Sequence, residues 1–82
     1  MYTYENLISD LKMGREIEFK YNNSIFGICH WKEGWAFSRD NKKLYDYHED
    51  VIELIKKISI DNRTLKEIFR QSLYEEDSLY IM

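Results

Sequence analysis

The chain has 82 residues, of which 44% are hydrophobic and 33% are charged, and its formal net charge is -3 at pH 7. This length holds a single domain, residues 1–82, because a second core would need roughly another 50 residues, and the composition is that of a globular protein. The acidic balance argues against nucleic-acid binding by charge alone, and the single cysteine, Cys29, excludes an intramolecular disulfide and Cys-rich zinc modules.

Residue usage bears on the source and location of the protein. Ile, Lys, Asn, Tyr and Phe are abundant, alanine occurs only at Ala36, and proline is absent. The abundant residues have AT-rich codons, which indicates a gene of a low-GC bacterium or its phage. No apolar run approaches the ~20 residues of a membrane span, and the N-terminus lacks the pattern of a signal peptide. We therefore expect a cytoplasmic protein without a membrane segment.

The first predicted element is a helix from Thr3 to Met13. Its apolar residues recur with helical spacing at Tyr4, Leu7, Ile8 and Leu11. Thr3 is a suitable N-cap, and Gly14 is suited to the left-handed position that follows a helix. The start, the apolar face and the end of this segment therefore agree.

A β-hairpin is predicted next. Polar and apolar residues alternate from Arg15 to Tyr21, and Asn22-Asn23 suits a two-residue turn. Such a turn pairs Tyr21 with Ser24, Phe19 with Phe26, and Ile17 with Ile28. Phe26, Ile28 and His30 then share the buried face, and the opposite face carries Glu16, Glu18, Lys20, Ile25, Cys29 and Trp31. A slip of one residue would exchange the two faces.

The middle of the chain predicts a further turn and one or two more strands. Gly34 supplies the special backbone conformation for a turn after Trp31, and Trp35 to Ser38 forms the third strand. Arg39 to Lys43 is interpreted as a charged loop, and Leu44 to Tyr47 as a short fourth strand.

The remainder of the chain predicts two helices and a tail. A helical stripe of Val51, Leu54, Ile55 and Ile58 follows His48, and Asp46 is placed to cap this helix together with Glu49. Residues 60–63 form a connector, and Thr64 with Glu67 forms a capping box for a short second helix. The tail from Ser78 to Met82 either adds a strand, docks on a neighbour or frays.

The order α-β-β-β-(β)-α-α predicts an α+β fold. We expect a small two-layer sandwich in which a three- or four-stranded antiparallel sheet has helices packed on one face. The other sheet face then combines charged and apolar residues and is the most informative surface.

No arrangement of residues predicts catalysis or a cofactor. Cys29 and His30 are adjacent in a strand and point to opposite faces, and no phosphate-binding glycine loop is present. Glu16 and Glu18 share an exposed strand face without a cleft. The possible metal ligands His30, Asp46, His48, Glu49 and Asp50 lack zinc-site spacing. We therefore predict no catalytic residue, no metal site and no cofactor, and a protein that is not an enzyme.

Several segments carry a family resemblance. A helix is followed by the strand G-R-E-I-E-F-K-Y-N at 14–22, then by Gly34-Trp35 and by T-L-K-E-I-F at 64–69. In this order the segments resemble a loose group of short, uncharacterised proteins of Firmicutes and their phages, and the resemblance spans about residues 5 to 70. The group has no assigned activity, so the resemblance implies a free-standing small protein and transfers no site residues.

The leading functional hypothesis is a protein-interaction or regulatory module that binds a protein partner or itself as a homodimer. Aromatic anchors dominate protein interfaces, and this chain is rich in them. The candidate contact residues are Ile25, Trp31, Trp35, Tyr45 and Tyr47. The alternative is a nucleic-acid accessory protein that uses cations near Trp31 and Trp35, namely Lys20, Lys32, Arg39, Lys42 and Lys43.

Overall fold

The computed structural model describes residues 1–82 as three helices and seven strands. The helices are α1 (Tyr4–Lys12), α2 (Val51–Lys57) and α3 (Leu65–Arg70). The strands are β1 (Ile17–Tyr21), β2 (Ser24–Trp31), β3 (Gly34–Arg39), β4 (Lys42–Lys43), β5 (Ser59–Ile60), β6 (Arg63–Thr64) and β7 (Glu75–Ile81). Five strands form one antiparallel sheet in the order β4-β3-β2-β1-β7, and β5 pairs with β6.

The predicted two-layer α+β architecture is confirmed. Buried side chains from β1, β2 and β3 form one core cluster with side chains from all three helices, so the helices cover a single face of the sheet. The sheet has one strand more than the upper limit of the prediction, because the C-terminal segment pairs with β1. None of the helices is long and apolar enough to cross a membrane.

Phe19 lies at the centre of the core and is fully buried. Its ring centroid is 5.7 Å from that of Phe26 on the neighbouring strand, 5.1 Å from that of Phe69 in α3 and 6.0 Å from that of Tyr74. The contacts with Phe69 and Tyr74 are edge-to-face, a favourable geometry for aromatic pairs. One side chain therefore joins the sheet to a helix and to the segment that precedes β7.

The first hairpin has the predicted register. Tyr21 pairs with Ser24, Phe19 with Phe26, and Ile17 with Ile28. The turn residues Asn22 and Asn23 have φ of 49° and 62°, the left-handed conformation that asparagine tolerates best after glycine. Because the register is as predicted, β1 and β2 present the two predicted faces. His30 is a correction, because it lies near the end of β2 and is exposed although it was predicted to be buried with Phe26 and Ile28.

Two further turns of the same kind correct the prediction for the loops. Asp40-Asn41 and Asp61-Asn62 also have positive φ at both residues and close tight hairpins. The predicted charged loop at 39–43 is therefore the turn between β3 and β4, and the predicted connector at 60–63 is the turn between β5 and β6. The fourth strand is Lys42–Lys43 and not the predicted segment from Leu44 to Tyr47.

The helix α2 begins later than predicted. The backbone of His48 is paired with that of Trp35, and its N–H and C=O both serve that pairing. Asp50, and not Asp46, is the N-cap, because its side chain accepts a hydrogen bond from the backbone N–H of Ile52. The predicted capping residues at the other two helices, Thr3 and Thr64, are confirmed.

The C-terminal segment takes the first of the three alternatives and adds a strand. Between Glu18 and Lys20 its pairing with β1 is interrupted by a bulge. There the Ser78 hydroxyl accepts a hydrogen bond from the Lys20 backbone N–H and donates one to the Glu75 carbonyl, at 2.8 and 2.5 Å. The Ser78 hydroxyl thus replaces backbone hydrogen-bond partners that the bulge removes from the pairing of β7 with β1.

Candidate functional site

The sheet face turned away from the helices is the candidate site, and we call it the outer face. Directly paired residues of an antiparallel sheet share a face. The register therefore places one transverse row of five residues here, one from each strand: Lys43, Ser38, Gly27, Glu18 and Tyr80. A second row contains Ala36 and Cys29, and the third contains Gly34 and Trp31.

Small residues make the centre of the outer face shallow and concave. Gly27, Ser38, Ala36 and Cys29 adjoin one another on β2 and β3. A methyl group added to Gly27 would lie 3.1 Å from the Ser38 Oγ and 3.6 Å from the Cys29 Sγ, so the space above Gly27 is narrow. We refer to these four residues as the floor.

Larger side chains surround the floor. A cavity of about 250 Å³ lies over it, and Trp31, Tyr47, Lys43, Asn41 and Glu18 line its sides. The Trp31 side chain is 59% exposed and the Tyr80 side chain 58%, which is far from the burial usual for such large rings. The arrangement is a shallow cavity that lies between the aromatic side chains of Trp31 and Tyr47 and the opposite charges of Lys43 and Glu18.

The charged residues on the outer face differ in whether they have an ion-pair or hydrogen-bond partner within the chain. Lys20 lies 4.0 Å from the carboxylate of Glu75, and the Glu16 carboxylate accepts a hydrogen bond from the His30 backbone N–H. Glu18 takes part in no ion pair. Lys43 also lacks one, and its ammonium lies 4.4 Å from the ring centroid of Tyr47. Glu18 and Lys43 therefore remain free to meet charges on another molecule.

The floor also determines the chemistry of Cys29. Burial raises the pKa of the Cys29 thiol, and the carboxylates of Glu16 and Glu18 raise it further. A cysteine nucleophile needs the opposite environment, because the thiolate is the reactive form. The side chain thus acts as a small apolar part of the floor.

We expect the pH midpoint for alkylation of Cys29 to lie above the ordinary value for a thiol. The rate should be followed with iodoacetamide by mass spectrometry from pH 7 to 11, and Glu18→Gln should move the midpoint down because it removes a nearby negative charge. The midpoint, unlike the rate, does not depend on steric access. A midpoint at or below that of the urea-denatured chain would contradict this environment.

The structure divides the predicted contact residues into two groups. Ile25 and Trp31 are exposed on the outer face, and Tyr47 lines the cavity. Trp35 is a correction: it lies on the inner face, is only 5% exposed and stacks on His30 with ring centroids 4.4 Å apart. Tyr45 is a second correction, because its ring stacks on the buried Phe37 at 5.9 Å and packs against the core.

Sequence reasoning did not place three residues of the site on the outer face, although it named Lys43 as a cation of the nucleic-acid alternative. Ser38 joins the outer face through the β2-β3 pairing, Lys43 through the β3-β4 pairing and Tyr80 through the β1-β7 pairing. The Asp40-Asn41 dipeptide was the available signal for Lys43, because it has the turn chemistry of Asn22-Asn23. No local signal existed for Tyr80, since its place depends on a pairing across the length of the chain.

A second, larger cavity lies at one end of the sheet beside α1 and α2. It has a volume of about 570 Å³, and its lining includes Lys12, His30, Glu49 and Asp50. Asp50 is already used as the N-cap of α2. No group of three His, Cys, Asp or Glu side chains in the molecule is placed to hold a metal ion.

The cations of the nucleic-acid alternative lie apart. Lys32 is in the turn at one end of the β2-β3 hairpin, whereas Lys42 and Lys43 follow the turn at the other end. Arg39 donates a hydrogen bond to the Ser24 hydroxyl and lies 5.2 Å from the ring centroid of Phe26. Lys20 is paired with Glu75. Together with the burial of Trp35, these positions leave Trp31 as the tryptophan available for stacking.

The chain matches no protein-family model, no curated protein sequence and no solved structure. The resemblance to short proteins of Firmicutes and their phages stays a prediction.

Proposed function

We propose that this chain is a non-enzymatic protein-interaction module that binds a protein surface through the outer face. The observation that carries the proposal is the placement of Trp31, which is 59% exposed beside a concave floor of small residues. Tryptophan is among the residues that contribute most to protein interfaces, and contact with a partner removes its large apolar surface from water.

The rest of the outer face supports the same function. Ile25 on β2 and Tyr80 on β7 add exposed apolar surface to the outer face. Glu18 and Lys43 are unpaired charges that could determine orientation, since complementary charges at the rim of an interface govern specificity. The pKa of Cys29 is raised, which supports a contact surface better than a reactive site.

A capture experiment with matched variants tests this function. The tagged chain should be produced in a low-GC bacterium together with an untagged copy and recovered from the lysate with and without nuclease. The proteins bound to it should then be identified by mass spectrometry. Trp31→Glu places a charge within the proposed contact. Leu73→Glu is the control, because it also replaces an exposed apolar residue with glutamate but lies in the connection between α3 and β7.

We expect the wild-type chain and Leu73→Glu to retain the same protein after nuclease treatment and Trp31→Glu to lose it by at least about 10-fold, as for a hot-spot residue. Untagged copies of the chain count as a captured protein. Retention that disappears with nuclease would favour the nucleic-acid alternative. Equal capture by all three proteins, or capture of nothing, would contradict the proposal.

A further inference from the structure

We infer that the outer face binds a second copy of this chain, face to face, about a two-fold axis that runs along the strands between β2 and β3. The inference rests on the proposed function and names the partner of the same surface. It follows from the order of residues in the transverse rows, which is self-complementary about that axis.

The charged row shows this complementarity most clearly. From β4 to β1 it reads Lys43, Ser38, Gly27 and Glu18, so the midpoint of these four falls between the two small residues, and Tyr80 on β7 lies beyond them at one edge. Neighbouring strands lie about 4.8 Å apart, which puts the backbone of each charged residue about 7 Å from the midpoint. A two-fold axis there sets each Lys43 opposite the partner's Glu18, and each Ser38 opposite the partner's Gly27.

The other rows agree with the same axis. Cys29 is directly paired with Ala36, and Trp31 with Gly34. The axis therefore places each Trp31 ring against the other copy where the His48 backbone adjoins the buried Gly34, and the small side chains of Cys29 and Ala36 face each other in between. Small side chains at Cys29 and Ala36 let the two sheet faces approach there, and an axis along the strands gives the aligned arrangement usual for sandwiches.

The charges within one chain favour contact between copies. The backbones of Lys43 and Glu18 of one chain are three strand spacings apart, about 14 Å, and their side chains form no ion pair with each other. The other charges of the outer face already have partners, Lys20 with Glu75 and Glu16 with a backbone N–H. Only the two charges related by the proposed axis are left without an ion-pair or hydrogen-bond partner.

The size of the face sets the expected affinity. The axis superposes four strands, β1 to β4, on their counterparts and leaves β7 outside; strands about 4.8 Å apart and about 20 Å long then cover on the order of 400 Å², so two copies bury on the order of 800 Å² in total. This area is at the low end for specific interfaces. We therefore expect a dissociation constant in the micromolar range, and a mass that rises from 10.1 kDa toward twice that value as concentration increases.

Charge reversal tests the axis itself. In Glu18→Lys two lysines face each other at both ends of the row, and in Lys43→Glu two glutamates do, so each variant alone should dimerise at least about 10-fold more weakly. An equimolar mixture of the two variants should recover the wild-type affinity, because both opposite-charge contacts are restored in the mixed dimer. The measurement is sedimentation equilibrium from about 1 μM to 1 mM.

Two matched variants control for net charge. Glu33→Lys and Lys42→Glu make the same changes in charge, but Glu33 is in the β2-β3 turn and Lys42 pairs with Arg39 in the row of the opposite face. Both should dimerise like the wild-type chain. Circular dichroism should show that all four variants are folded.

The outcomes separate this inference from the proposed function. A wild-type chain that stays monomeric to 1 mM would overturn the second copy as partner, and Trp31-dependent capture of a different protein would then leave the proposed function intact. A dimer that is unaffected by either charge reversal, or a mixture that fails to recover, would overturn the axis.

Discussion

Phe19→Ala is expected to lower the free energy of unfolding by about 3–5 kcal/mol. The side chain is fully buried and contacts aromatic rings from β2, α3 and the segment before β7. Alanine would leave a cavity between the rings of Phe26, Phe69 and Tyr74. These rings belong to three different segments, so they cannot move together to fill it. A chain of this length has a total stability of roughly 4–12 kcal/mol, so the variant is expected to be partly unfolded at 37 °C.

The measurement is urea unfolding followed by circular dichroism, with Ile25→Ala as the matched control. Ile25 lies on the outer face of the neighbouring strand and is 48% exposed, so its truncation should cost less than about 1 kcal/mol. Similar losses for the two variants would contradict the assignment of the inner and outer faces, on which the candidate site depends.

Gly34→Ala is expected to be the second most destabilising change, with a loss of at least about 2 kcal/mol. Gly34 has φ of 132°, a conformation that costs side-chain-bearing residues on the order of 1–3 kcal/mol. A methyl group there would also lie only 2.8 Å from the carbonyl oxygen of His48. That carbonyl accepts a hydrogen bond from the Trp35 N–H at 2.7 Å, so relief of the clash would disturb the pairing that precedes α2.

Hydrogen exchange distinguishes this local cause from general destabilisation. The backbone N–H groups of Trp35 and His48 should lose protection in Gly34→Ala before those of the β1-β2 ladder do. Gly27→Ala is the control, because Gly27 has no positive φ and its nearest neighbour is the mobile hydroxyl of Ser38. A cost for Gly34→Ala no larger than that for Gly27→Ala would contradict the steric explanation.

Local patterns were sufficient to predict much of the fold. The alternation in β1 with the Asn22-Asn23 turn predicted the register, and Thr64 with Glu67 predicted the start of α3. In each case the residues that determine the structure lie within a few positions of one another, so the interactions are visible in the sequence.

The errors arose where distant residues compete for the same backbone. The turn at Asp40-Asn41 is followed by a strand of only two residues, too short to show alternation. The start of α2 is delayed because His48 pairs with Trp35. Trp35 was wrongly predicted to be a contact residue. Trp31 and Trp35 are only four residues apart, on the two strands of one hairpin, and the register between those strands decides which of the two faces water.

The most direct test of the account is whether Trp31 enters an interface. Incorporation of 5-fluorotryptophan gives two ¹⁹F resonances, one from exposed Trp31 and one from buried Trp35, and Trp31→Phe assigns them. We expect the Trp31 resonance to shift as the chain concentration rises from about 10 μM to 1 mM, and the Trp35 resonance to stay in place. A Trp31 resonance that is independent of concentration, or equal shifts of both resonances, would contradict a face-to-face dimer through the outer face.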